Sequence, residues 1–265
     1  MSVDNTGLPD AEADFGTINV PGATLPYWDT AGHHAAVILL HGKTGSWRSW
    51  QHQVSDLSRS GFRVIGYSRR GHDGSSHTTP GSGADDLLAL LDHLGIGSCH
   101  VVGHAAGGVY ALDFALSYQT RVRSLTIACS TLGVREPDFE RAVASLQPTG
   151  LADLPASFCE LSPSYRITHP DGVDRWSHIE AGALTGEFIM QGIRSTMTWS
   201  AVEALGVRTL LIAGESDLYM PPPLADRAAG HFSDITRVTI PRSGHNPQWE
   251  RPADFNRALI SFFAS

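Results

Sequence analysis

Apolar positions along this chain fall into two rhythms. Continuous runs such as "AAVILLHG" (35–42), "FRVIGYS" (62–68) and "SCHVVG" (98–103) suit strands buried on both faces of a parallel sheet. "SLTIAC" (124–129), "RTLLIAG" (208–214) and "ITRVTI" (235–240) are further strands. "FGTINV" and "TLPYWDT" are short strands joined by Pro21-Gly22, a hairpin signal. Helical spacing lies between the runs. "GADDLLALLDHLG" puts Leu87, Leu88, Leu91 and Leu94 on one face. Ser82 and Asp85 resemble a capping box at its start, and Gly95 ends it. Further helices are predicted after Ala105, over 222–230, and in the closing "PADFNRALISFFA".

Strand and helix alternate, which predicts an α/β fold whose mostly parallel central sheet is flanked by helices. The rhythm breaks over 133–200, where Pro137, Pro148, Pro155, Pro163 and Pro170 occur without a good strand. That stretch is expected to form a helical cap, and 1–132 with 201–265 the core.

Composition narrows the function. Hydrophobic residues at 42% and charged residues at 17% exclude a disordered chain. A formal charge of −8 disfavours nucleic acid and anionic membrane surfaces as partners. The longest clean apolar run, 35–40, is too short to span a bilayer. Residues 1–14 carry four acids and no Lys or Arg, unlike a signal peptide, and read as a frayed terminus. Cys99, Cys129 and Cys159 form no C-x-x-C and read as thiols in a reducing compartment. A cytoplasmic protein, monomer or homodimer, acting on a small molecule is expected.

In open α/β sheets, ligands sit beyond the carboxyl ends of the strands. After 36–40 comes His41-Gly42-Lys43-Thr44-Gly45, and after 98–103 comes His104-Ala105-Ala106. After 208–214 comes Glu215-Ser216-Asp217, and after 235–240 comes "PRSGHNPQWE" with His245. An acid and a histidine therefore share a rim with the turn at Ala105. Thirteen histidines are present, yet no helix carries H-x-x-x-H or H-E-x-x-H, so no metal site is expected.

Five segments in order carry a family resemblance: "LLHG", "YSRRGHDGSS", "GHAAGG", "LLIAGESDLYMPP" and "SGHNPQWERPADFNRALISFF". Over about 30–265 the chain resembles the α/β-hydrolase fold, whose elbow usually reads G-x-S-x-G and whose order is nucleophile, acid, histidine. The final segment is most similar to the carbon–carbon hydrolases of aromatic ring-cleavage pathways and related esterases and lactonases. The resemblance implies that residue 105 is the nucleophile position, that Asp217 orients His245, and that His245 is general base and acid. Glu215 is a weaker substitute for the acid. The backbone N–H groups of Lys43 and Ala106 are the expected oxyanion hole. His41 and His104 are expected to be structural. Trp47, Trp176, Met190, Trp199 and Trp249 are candidate walls of an apolar pocket, and Arg194 a candidate for a substrate carboxylate. No cofactor is implied.

Residue 105 departs from the pattern, because alanine has no atom that can attack. The first expectation is a Ser-His-Asp hydrolase of an ester, lactone or C–C bond in which alanine has replaced the serine, leaving turnover slow or absent. One alternative is a natural alanine enzyme using a His245–Asp217 dyad for water activation, lyase or cofactor-free oxygenase chemistry. Another is a non-catalytic small-molecule receptor.

Overall fold

The computed structural model describes residues 13–265. The frayed terminus expected over 1–14 lies outside these except for Ala13 and Asp14. Nine strands form one sheet: β1 (Asp14–Val20), β2 (Ala23–Asp29), β3 (Ala35–Leu40), β4 (Phe62–Tyr67), β5 (Ser76–His77), β6 (Cys99–His104), β7 (Val122–Ala128), β8 (Thr209–Gly214) and β9 (Ile235–Ile240). Their order is β1-β2-β4-β3-β6-β7-β8-β9, with β5 paired to β2. β1 and β2 form the antiparallel hairpin predicted around Pro21-Gly22. From β4 to β9 all neighbours run parallel.

The helices are α1 (Gln51–Arg59), α2 (Gly83–His93), α3 (Ala106–Ser117), α4 (Pro137–Ser145), α5 (Ala156–Glu160), α6 (Pro163–Thr168), α7 (Pro170–Ala181), α8 (Trp199–Glu203), α9 (Pro222–Ala229), α10 (Pro247–Glu250) and α11 (Pro252–Ala264). Side chains alternate across the central strands and so divide the core in two. On β3, Ala36, Ile38 and Leu40 pack with α2, α3 and α9, whereas Val37 and Leu39 pack with α1 and α11. That double burial explains why these strands read as unbroken apolar runs. None of these helices is long and apolar enough to cross a membrane.

The predicted α2 starts on Ser82, whose hydroxyl accepts from the Asp85 amide, without the reciprocal bond of a full capping box. Its buried face is Leu87, Leu90 and Leu91 rather than the face through Leu88 and Leu94. The buried pair Arg70–Asp86 joins this helix to the loop after β4 through two bonds of 2.7 Å.

Between β7 and β8 the chain is helical from Pro137 to Ala181, interrupted by short turns. Residues 182–198 do not continue as helix. Their backbone pairs elsewhere: Asp73 donates to Ala183, Thr185 to Gly71 and Gly192 to Gly81. The Asp113 carboxylate also accepts from the Arg194 and Ser195 amides at 2.7–3.1 Å.

The chain leaves β3 toward β4 on one side and returns to β6 on the other. This reversal of winding opens a crevice at the carboxyl ends of β3 and β6.

Candidate active site

β6 ends at His104 and α3 starts at Ala106, so Ala105 alone makes the turn. Its backbone lies at φ 50°, ψ −118°, a conformation that disfavours any residue with a Cβ. Its amide donates to the Ala128 carbonyl at 2.9 Å, which pins the turn to β7. Two glycines allow the tight approach of strand and helix. A Cβ at Gly107 would stand 2.1 Å from the Leu40 carbonyl oxygen, and one at Gly103 2.4 Å from that of Gly107.

Two buried histidines brace this turn. The His104 Nε2–H donates to the His245 carbonyl at 2.7 Å. Burial and the nearby His245 push its pKa down to about 3, so it stays neutral. His41 Nδ1–H donates to the Gly42 carbonyl at 2.7 Å, and its Nε2 accepts from the Arg69 amide at 3.1 Å. Arg69 Nη2 donates to the His41 and Gly42 carbonyls at 3.2 and 3.3 Å. The loop carrying Lys43 is thus fixed by its own backbone carbonyls.

Asp217 follows β8 and His245 follows β9. The His245 Nδ1–H donates to Asp217 Oδ1 at 2.9 Å and Oδ2 at 3.0 Å. Asp217 Oδ1 also accepts from the Tyr219 amide at 2.8 Å. Burial opposes charge on both groups. The Asp217 charge and hydrogen bond, helped by Glu160 and Glu250, outweigh burial and hold the imidazole above its usual range. In the same way, His245 and the amides of Tyr219 and Met220 hold the buried Asp217 carboxyl below its own. Glu215 points away, its Oε2 accepting from the Arg242 amide.

The loop around His245 is shaped by Glu250, whose carboxylate accepts from the amides of Gly244 (2.9 Å), Asn246 (3.3 Å) and Ser162 (2.9 Å). Burial raises this carboxyl to about 6. The His245 amide donates to the Glu160 carbonyl at 2.8 Å.

Ala105, Ala106, Lys43 and His245 face a common cavity of about 970 Å³, with Asp217 behind the imidazole. Its apolar wall comes from Val109, Leu151, Leu154, Leu184, Phe188 and Met190. Its polar groups include Thr44, Glu160, Glu180 and Tyr219. Cys129 also lines it, and its Sγ lies with Asp217 and His245 donor atoms all within 4.8 Å of one another. Asp217 already accepts the Nδ1 proton of His245, and burial together with Asp217 pushes the Cys129 thiol well up.

Of the predicted walls, Met190 alone lines the cavity. Trp47 packs against Phe15 in the α1–α11 side of the core. Trp176 and Trp249 fill a small cluster with Leu161 and Tyr165, where the Trp249 indole donates to Gly172. Trp199 packs between Phe139 and His231. Arg194 lies outward, paired to Asp85 and over the Tyr118 ring. These rings serve as core because each meets another apolar face before it can reach the crevice. Glu160, Tyr219 and Phe188 were not singled out by the sequence. Tyr219 alone had a signal, its place two residues after the acid.

A family model for the alpha/beta hydrolase fold matches residues 35–252. The chain belongs to this family. Among curated relatives of this α/β hydrolase is a Variovorax paradoxus (strain S110) protein named "Putative carbamate hydrolase RutD", 30% identical over 249 residues, covering 86% of the chain and 91% of the relative. A 2-hydroxy-6-oxo-6-phenylhexa-2,4-dienoate hydrolase of Comamonas testosteroni is 26% identical, covering 90% and 91%. Among solved structures, the α/β hydrolase is similar to a thermophilic esterase from Thermogutta terrifontis, with TM-score 0.77, 25% identity and coverage of 96% and 98%.

Proposed function

We propose that this α/β hydrolase cleaves a small substrate at a carbonyl, as an ester, lactone, carbamate or vinylogous C–C ketone, with His245 acting on water. The His245–Asp217 pairing carries this reading. Nδ1 is committed to the carboxylate, and no described residue bonds Nε2, which belongs to a ring on the cavity wall. Residue 105 offers a methyl group, so the attacking oxygen comes from solvent. Nε2 takes a proton from water as the new C–O bond forms. The carbonyl oxygen becomes anionic and is held by the amides of Lys43 and Ala106. The imidazolium, stabilised by Asp217, returns the proton to the leaving atom as the scissile bond breaks. The Ala106 amide suits its role because the first amides of a helix have no intrahelical acceptor. The names of the relatives support a hydrolase and differ in the bond cleaved.

The strained backbone of Ala105 favours a second reading. A conformation that costs about 1–3 kcal/mol is what a strand-to-helix nucleophile elbow holds, and here it is held without a nucleophile. On that reading alanine occupies the place of a serine, and the chain binds substrate but turns it over slowly.

The test is turnover of short aryl esters, lactones, aryl carbamates and ring-cleavage dienones by the chain and by His245→Ala. Turnover lost in the variant supports His245 as the base. Turnover unaffected by the substitution overturns both readings of the site.

A further inference from the structure

Glu160 ends α5 and is only 7% exposed, yet it lines the cavity with Ala105 and His245. Its Oε2 accepts from Thr44 Oγ1 and from Asn246 Nδ2, both at 2.9 Å. Among the described residues nothing donates to Oε1, and no cation pairs with the carboxylate. Oε1 is not fully enclosed, and Glu160 lines the cavity. Burial raises the Glu160 carboxyl, while His245, Asn246 and Thr44 pull it back.

An acceptor facing a cavity without a protein donor is served by water, and a ligand that displaces the water keeps that bond only if it brings a donor of its own. We propose that Glu160 is the specificity-determining residue of this cavity, and that it selects carbonyl substrates bearing an N–H donor over their oxygen or fully N-alkylated counterparts. This rests on the cavity being the site for a carbonyl substrate, as argued above. The donor groups that fit are amino, carbamoyl and ureido N–H. An ester or lactone offers only acceptors and leaves Oε1 unmet.

The neighbours of Glu160 fix what a conservative change does. Gln248 Nε2 donates to Asn246 Oδ1 at 3.1 Å, which turns the Asn246 amide so that its NH2 faces Glu160. In Glu160→Gln the new amide oxygen takes the place of Oε2, where Asn246 and Thr44 donate. Its NH2 then faces the cavity. The substitution converts an acceptor into a donor without changing size, and the preference inverts.

Equilibrium binding tests this without requiring catalysis. Benzamide, N,N-dimethylbenzamide and methyl benzoate are titrated calorimetrically at pH 8 into the chain, Glu160→Gln and Glu160→Ala. The chain should bind benzamide about tenfold more tightly than the other two, the effect of one hydrogen bond to a charged acceptor. Glu160→Gln should favour methyl benzoate, and Glu160→Ala should show no preference. Equal binding of all three by the chain overturns the proposal, as does a benzamide preference that survives in Glu160→Ala. The comparison within the unsubstituted chain decides the matter even where a variant fails to fold. Failure of the hydrolase reading shows separately, as turnover insensitive to His245→Ala alongside intact benzamide selectivity.

Discussion

Asp217 and His245 come from the ends of adjacent strands, β8 and β9, and meet at 2.9 Å and 3.0 Å through both carboxylate oxygens. That pairing fixes which ring nitrogen carries the proton. It also sets the pH at which the imidazole can act. His245 must be neutral to accept a proton, and its pKa is raised, so turnover should climb with pH through a midpoint above 6.5. Asp217→Asn removes the charge and leaves burial, which lowers the pKa. The midpoint should move below that of the unsubstituted chain, with turnover down at least about a hundredfold. A pH–rate profile of both proteins checks this, and an unmoved midpoint would count against Asp217 as the partner.

Ala105→Ser places a hydroxyl at the elbow. Treatment with a fluorophosphonate should label this variant covalently and leave the unsubstituted chain unlabelled, read by intact mass. The rate separates the two readings of residue 105. A serine in its own place should raise aryl ester turnover by several powers of ten, since loss of a nucleophile costs about six. Comparable turnover in both proteins would assign the reaction to water activated by His245.

Ala105→Gly should stabilise the fold. Glycine adopts φ 50°, ψ −118° without the strain imposed by a Cβ, and gives back part of the gain as chain entropy. A net gain of about 1 kcal/mol, or roughly 2–4 °C in Tm, is expected. Thermal unfolding checks it, and a lower Tm would mean that the elbow is not strained.

Acid should unfold this protein early. Burial holds His72 and His104 near a pKa of about 3, each helped by a neighbouring positive group. Burial and Arg69 hold His41 well below 6.5. Above 6.5 these groups are neutral in both states and contribute nothing to the pH dependence. Below 6.5 the unfolded chain takes up protons that the native state refuses, costing about 1.4 kcal/mol per pH unit for each. Glu250, raised to about 6, and Glu160, also raised by burial, work in the opposite direction and offset part of this, while His100, held by burial down to about 4, adds to it. Tm should therefore fall between pH 6.5 and 5, and a constant Tm across that window would contradict neutral burial.

The centre of the sheet was legible because β3, β4, β6, β7 and β8 are largely buried, so each shows as an apolar run with a turn at its end, whereas the edge strands β1 and β9 are partly exposed. The acid was legible as a polar residue just beyond the buried run of β8, and the histidine by its place after the last strand. α1 went unnoticed because a polar side chain interrupts its buried face. Gln53 is fully buried there, with its Nε2 donating to the Gln248 carbonyl and Asn256 Oδ1. The cavity walls were not legible, because a tryptophan in sequence does not reveal which apolar surface it will meet. Trp47 and Leu184 are both apolar, yet only the second reaches the crevice. Glu160 gave no signal, since it ends the short helix α5 and its partners, Thr44 and Asn246, are distant in the chain.

The segment over the cavity is fastened to the core chiefly by its main chain. Arg194 and Ser195 offer their amides to Asp113, and Ser162 offers its amide to Glu250. Ala183 and Thr185 pair through backbone atoms with the loop after β4. These main-chain ties do not depend on which side chains the segment carries, and Glu160 and Gln191 add side-chain ties to Thr44, Asn246 and Asp86. Leu151, Leu154, Leu184 and Phe188 face the cavity and take no side-chain part in these ties. The interior can be relined while the roof stays bolted in place, so one scaffold can serve substrates of different shape.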